Sequence, residues 1–255
     1  VETSEGKFEF APAEIPWDRP KTFGAGTVVV SRSPRPQRVT GGAAAEDSAA
    51  EDNVAEDYVA AIESSSGQRW VAYQSYETGG DRLWIQRDQQ PPEPLTAAGA
   101  DLFGVQLAED AEGAIWAVWC EQRDSNWDLF ARAYRSGSWS EVRRLTSAKG
   151  SDIFHSLARD GQGRLYLVWQ SFRSGDGEIY LRIRDSHGWG PEIQVSQHPA
   201  NDWQPSVAAS KDGVATIVWD TYRAGNYDVV MKQVRDGKLT ALVTVADSAS
   251  MEARA

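Results

Sequence analysis

A segment of twenty residues recurs four times along this chain, and a repeat restricts the fold before any single residue does. Gly163 to Arg182 reads GRLYLVWQSFRSGDGEIYLR, Gly113 to Arg132 reads GAIWAVWCEQRDSNWDLFAR, Gly213 to Lys232 reads GVATIVWDTYRAGNYDVVMK, and Gly67 to Gln86 reads GQRWVAYQSYETGGDRLWIQ. Each copy is an apolar run, a polar turn and a second apolar run, the pattern of a β-hairpin. The last aromatic of the first run falls at Tyr73, Trp119, Trp169 and Trp219, giving steps of 46, 50 and 50 residues. A glycine stands six residues before each of them.

The copies extend beyond the hairpin. In the third repeat, Phe154 to Ala158 reads as strand one, Leu165 to Trp169 as strand two, Ile179 to Arg184 as strand three and Glu192 to Ser196 as strand four. Strand two is apolar at every position, as in Ile115-Trp116-Ala117-Val118-Trp119. A strand buried on both faces lies inside a sheet with layers packed on either side. Four-stranded antiparallel units of about 50 residues, each covering its neighbours, describe an all-β fold, the β-propeller. A flat sandwich is the alternative, but it gives no reason for the period.

The repeats divide the chain into blades at 57–96, 97–146, 147–196 and 197–246. Residues 1–26, with Pro12, Pro16 and Pro20, read as an irregular arm. Residues 27–40 resemble the last two strands of a partial blade, since PQRVT matches the repeat ends Pro94-Leu95-Thr96, Arg144-Leu145-Thr146 and Gln194-Val195-Ser196. Residues 41–56 are rich in Ala, Glu and Asp. Their Ala-Glu-Asp triplet returns every five residues, which is not a helical period, so a solvated acidic loop is expected. Residues 247–255 match the opening of a further blade, and a longer polypeptide continuing past Ala255 is expected.

Charge restricts the partners. A net charge of −11 and a pI of about 4.8 leave no basic stripe to neutralise phosphates, so neither nucleic acid nor an anionic membrane surface is expected. A protein partner or neighbouring domain fits, and a carbohydrate or a cation remains possible. No apolar run reaches the length of a membrane-spanning helix. The single cysteine, Cys120, excludes an intrachain disulfide. The chain begins with Val, which fits a processed N-terminus and a periplasmic or extracellular location.

Two columns of charge run through the repeats. Four residues after the reference aromatic stand Glu77, Arg123, Arg173 and Arg223; nine after it stand Arg82, Asp128, Glu178 and Asp228. Acid and base are exchanged together in the first copy, which predicts cross-strand pairs over each hairpin. The other candidate partner for the arginines is the acid opening each repeat: Asp57, Asp101, Asp152 and Asp202.

The candidate binding residues sit where one blade hands over to the next and at the hairpin turns on the same rim. They are the acids Asp101, Asp152 and Asp202 with His155, and the aromatics Trp203, Trp127, Phe172, Tyr222 and Tyr227, with Tyr76 nearby. The acids suit turn hydrogen bonds. A ring of carboxylates beside aromatic faces also suits sugar hydroxyls, or a Ca²⁺ or other cation. Trp139 and Trp189 read as packing between outer strands. His155, His187 and His198 lack metal-ligand spacing. No catalytic residue and no cofactor is assigned, because every prominent acid belongs to a repeated column.

Phrases such as NDWQPSVAA, GVATIVWDTYRAGNYDVVMK and LYLVWQSFRSGDGEIYLR resemble the bacterial propellers grouped as TolB-like or sialidase-like. They are most similar to propellers that precede PHP-type metallohydrolase domains in exported proteins. The resemblance spans about 57–255 and implies the fold. The sialidase Asp-box is echoed by Asp110, Gly113 and Trp116, and by Asp160, Gly163 and Tyr166, with the acid one residue early. Sialidase catalysis needs three converging arginines, whereas the arginines here form a periodic column. The resemblance therefore implies a non-catalytic scaffold or binding domain, with any hydrolase activity in a domain beyond Ala255. The alternative is a lectin or glycoside hydrolase using the rim.

Overall fold

The computed structural model describes residues 2–3, 6–7, 56–77 and 79–248. The expectations for 27–40, for the loop before residue 56 and for 249–255 fall outside them. The chain forms two compact units, Val1–Gly41 and Gly42–Ala255. In the first, Glu2–Thr3 pairs antiparallel with Gly6–Lys7. In the second, every regular element among the described residues is a β-strand.

Four antiparallel sheets follow one another. Blade I holds strands Glu56–Glu63, Arg69–Glu77, Gly80–Arg87 and Glu93–Pro94 in that spatial order. Blade II holds Leu102–Glu109, Ile115–Arg123 and Asn126–Arg135. Blade III holds Asp152–Arg159, Leu165–Ser171 and Glu178–Asp185. Blade IV holds Asp202–Ala209, Val214–Thr221 and Asp228–Arg235. In blades II to IV the outer edge of strand three carries two short segments instead of one, as Gly188–Trp189 and Ile193–Gln194 do in blade III.

Local chemistry sets the turns. Between strands one and two of blade III, Asp160 Oδ1 accepts the backbone N–H of Gln162 and of Arg164, both at 2.9 Å. Its Oδ2 accepts Arg164 Nε at 2.6 Å and the Tyr166 hydroxyl at 3.1 Å. Asp110 repeats this in blade II and accepts the Trp116 indole N–H at 2.7 Å. The acid placed early for an Asp-box thus still closes its hairpin. Gly163 turns there with φ +77°, and a Cβ would stand 2.4 Å from Ala111 Cα of the preceding blade.

The two-faced apolar strands lie between blades. Along Ile115–Arg123, Trp116, Val118 and Cys120 pack toward blade III, while Ile115, Ala117 and Trp119 pack toward blade I. Leu165, Leu167 and Trp169 answer from blade III, whose Tyr166 and Val168 meet blade IV. The reference tryptophans Trp119, Trp169 and Trp219 are fully buried, each facing the blade before its own. Trp139 packs on Trp70 and Tyr134, and Trp189 meets Trp116 edge-on at 5.6 Å.

Each first strand carries the same irregularity. Between Ile153 and Ser156 the ladder skips one residue relative to Gln170 and Val168, and equal skips occur at Asp57/Ala60, Phe103/Gln106 and Trp203/Ser206. The residue inside each bulge is left-handed: Tyr58 at φ 50°, Gly104 at 71°, Phe154 at 51° and Gln204 at 49°. Only the second blade uses glycine, the residue that backbone favours. The first strands pack against one another from blade to blade, so the bulges form a row on the inner side of the sheets.

Candidate binding rim

Hand-over turns, strand two-to-three hairpins and inner bulges meet at one end of the blades. Phe172 N donates to Ser151 O at 3.0 Å and Gln122 N to Asp101 O at 2.9 Å, tying each hairpin to the start of its own first strand. Asp202 N donates to Gly177 O at 2.7 Å, tying blade IV to the hairpin of blade III.

The predicted hairpin ion pairs do not form in blades II to IV. Register places Glu178 opposite Ser171, and Arg173 lies beyond the ladder in the turn. Its guanidinium folds back onto Asp152, with Nη2 3.1 Å from Oδ1, and also pairs with Glu192. In blade IV, Arg223 Nη2 reaches Asp202 Oδ2 at 2.7 Å. Glu178 turns the other way, accepting the Ser196 hydroxyl and, at 2.6 Å, His198 N–H. Asp128 takes Arg144 at 2.5 Å and the Thr146 hydroxyl at 3.3 Å. Asp128 and Glu178 therefore close the outer edge of blades II and III, where Thr146 and Ser196 also accept the N–H of Leu129 and Ile179.

The opening acids need realignment. Asp152 and Asp202 stand opposite Ser171 and Thr221, but the same ladder position in blade II is Leu102, opposite Glu121, and in blade I Glu56, opposite Ser75. Asp101 is one residue early and exposed. Blade II compensates across the ladder. Glu121 accepts the Trp119 indole N–H at 2.8 Å and Arg123 Nε at 2.6 Å. In blade III, Asp152 accepts the Trp169 indole N–H at 3.0 Å together with Arg173. One carboxylate thus joins tryptophan and arginine in both blades, supplied from opposite members of a cross-strand pair. The arginine caps an aromatic on strand three: Arg123 lies 4.2 Å from the Phe130 centroid and Arg173 4.0 Å from that of Tyr180.

Asp152 and Asp202 are fully buried. Burial raises the Asp152 pKa, against the lowering from Ser171 and Arg173. The expected ring of carboxylates at the channel mouth is therefore not formed by these two, because both are buried inside their blades and paired with an arginine there. Burial also raises Glu178, and it pushes the Cys120 thiol far up. His155 Nε2 lies 3.2 Å from Val118 O; a carbonyl only accepts, so Nε2 carries the proton. Burial lowers His155 to about 4 and keeps it neutral. No group of His, Cys, Asp and Glu suited to a metal forms among the described residues.

The aromatics fall into two groups. Phe103 lies 6.0 Å from Tyr58, 6.1 Å from Phe154 and 5.1 Å from Trp127, making a strip across blades I to III. Tyr58 is 49% and Phe154 43% exposed. Trp203, Tyr227 and Tyr222 form the second group on blade IV, with centroids 5.1 and 5.3 Å apart. Phe172 joins neither, and Tyr76 is exposed. Sequence reasoning missed Tyr58, Phe103 and Phe154. Their signal was a bulky residue one or two positions into each first strand, which an unbulged strand would have split between two faces.

No protein-family model matches the chain, and no curated protein does. Solved structures do. An α-L-arabinanase from Penicillium chrysogenum complexed with arabinobiose aligns over 74% of this chain and 65% of its own, at 12% identity and a TM-score of 0.54. The fold is a β-propeller. TolB from Acinetobacter baumannii aligns over 78% of this chain and 45% of its own, at 18% identity and 0.51. The sialidase Hz136 aligns over 78% and 47%, at 13% and 0.53. The propeller described here spans less than two thirds of each of these chains. The resemblance to TolB-like and sialidase-like repeats thus holds for the fold. Among the described residues of the propeller no helix is long and apolar enough to cross a membrane.

Proposed function

We propose that this propeller is a non-catalytic docking module of a larger exported protein, engaging a protein partner or neighbouring domain through its aromatic rim. One observation carries the reading: Asp128, Asp152, Glu178 and Asp202 are buried and held by side chains of their own blades, while rings of Tyr58, Phe154 and Tyr222 face solvent. Carboxylates held by arginine, indole and hydroxyl are poorly placed to work as an acid–base pair. Exposed aromatic groups held by rigid strands suit contact surfaces. Panning a peptide library on the full chain tests this. Enrichment of binders that are lost on Phe154→Gly or Tyr222→Ala is expected; binders indifferent to both substitutions would exclude the rim.

A carbohydrate-binding rim is the second reading, favoured by the Trp203–Tyr227 pair at 5.1 Å with planes tilted by 33°. Such faces stack on the C–H side of sugar rings, and the arabinanase neighbour holds arabinobiose. A specific glycan-array signal lost in Trp203→Ala, or turnover of aryl glycosides by the full chain, would move the assignment here.

A further inference from the structure

Building on the docking reading, we infer that the strip formed by Phe103, Trp127 and Phe154 seats a cationic side chain, with arginine favoured, on a basic segment of the partner. The protein already uses this recognition four times among its own side chains, within blades and between them. Arg123 lies over Phe130 beside Glu121, Arg173 over Tyr180 beside Asp152, Arg164 over Tyr166 at 5.8 Å with Asp160 at 2.6 Å, and Arg184 over Trp116 at 4.7 Å with Asp110 at 3.0 Å. Each time a guanidinium covers a ring face while a carboxylate takes its N–H groups.

At the rim the ring faces and carboxylates recur without the cation. Among the described residues no Lys or Arg lies over Phe103, Trp127 or Phe154, and none forms an ion pair with Asp101 or Asp124. Asp101 is two residues before Phe103 and its carbonyl accepts Gln122 N–H; Gln122 faces Trp127 across the hairpin. Asp124 forms the turn of that hairpin, and both acids are exposed. The surrounding arginines are neutralised locally: Arg123 by Glu121, Arg144 by Asp128, Arg173 by Asp152 and Arg223 by Asp202. Apart from these, Asp101, Asp124 and Asp176 stand at this end of blades II and III against Lys149, with Asp81 and Arg82 beside the hairpin of blade I. A net charge of −11 draws a basic partner toward the whole molecule. A neutral ligand leaves the carboxylates unused, and an acidic one is repelled.

The test is fluorescence anisotropy with a labelled Gly-Ser-Arg-Gly-Arg-Ser-Gly peptide and its twin carrying citrulline, which keeps shape and removes charge. The arginine peptide should bind the full chain at least about tenfold more tightly, with the difference shrinking in high salt. Phe154→Gly should weaken it severalfold, and so should Asp101→Asn. Glycine suits the left-handed backbone at 154, so the first variant should stay folded, and circular dichroism checks that; Asp101→Asn sits on the surface and perturbs no packing. Equal affinity for both peptides, or indifference to both substitutions, would falsify the cation site while leaving the docking reading standing. If the arginine peptide fails but library-selected peptides bind through the rim, only this inference falls; if no peptide binds, both fall.

Discussion

The most instructive residues are the carboxylates that moved. Asp152 with Ser171 in blade III, and Leu102 with Glu121 in blade II, are the same cross-strand pair with the acid on opposite strands. In each, the carboxylate holds an indole N–H and an arginine. Transplanting one arrangement into the other blade should therefore work only as a pair of changes. Glu121→Ser alone strands Trp119 and Arg123, and Leu102→Asp alone buries a second negative charge; each should cost about 2–4 kcal/mol. The double variant should recover most of that loss in urea melts, and additive losses would refute the exchange. Arg173→Met makes the related point. It leaves Asp152 buried without its cation, at a cost of about 3 kcal/mol. Asp152→Asn in that background should restore part of it, and Glu178→Gln should restore none. His155 adds a pH dependence. It titrates at its ordinary 6.5 when unfolded and at about 4 when folded. Between those values the unfolded chain binds the extra proton, so stability is full above pH 6.5 and falls toward pH 4, by up to about 3 kcal/mol. Asp152 and Glu178, raised by burial, act with the opposite sign. The decisive readout is thus the difference in slope between the parent and His155→Gln over that window, with the variant flatter.

At the scale of the strand, the repeated bulge separates what the sequence could tell from what it could not. The four hairpins, their glycines and the two-faced strands were legible, because apolar runs and turn residues act locally. The realignment of Asp101 was not, since a one-residue offset is invisible until the ladder places Leu102 opposite Glu121. The bulge was hidden for the same reason: it adds a residue without a marker, except where Gly104 occupies it. The hairpin pairs were misjudged because charge exchange between columns suggested contact, whereas Arg173 is taken by Asp152 and Glu192 and Glu178 by Ser196 and His198. The bulge carries its own prediction. At Phe154, φ 51° costs a side-chain-bearing residue about 1 kcal/mol that glycine avoids. Phe154→Gly should therefore be at least as stable as Phe154→Ala by that amount in thermal melts. At Leu157, on regular strand, the order should reverse.

Across the whole propeller, stability is organised between blades more than within them. The three described cores each lie at a junction of neighbouring sheets, and a basic residue of strand three stitches each junction from behind. Arg132 Nη1 donates to Leu95 O at 2.8 Å, Arg182 to Leu145 O, and Lys232 Nζ to Val195 O at 2.6 Å. Blades II and III are covered on both sides, and Leu165–Ser171 is buried along its whole length. Among the described residues blade IV is not: along Val214–Thr221, Ala215, Ile217 and Trp219 are buried while Val214, Thr216 and Val218 are partly open. A stack of units held by their interfaces opens first where burial is least complete. In native-state hydrogen exchange the amides of Ile115–Cys120 and Leu165–Gln170 should therefore be the slowest in the chain, and those of Ala215–Trp219 faster by an order of magnitude or more. Lys232→Met, which cuts the stitch between blades III and IV, should widen that gap by accelerating blade IV and leaving blade II unchanged. Uniform acceleration of all four blades would mean that the propeller opens as one cooperative unit and that its junctions are not its units of stability.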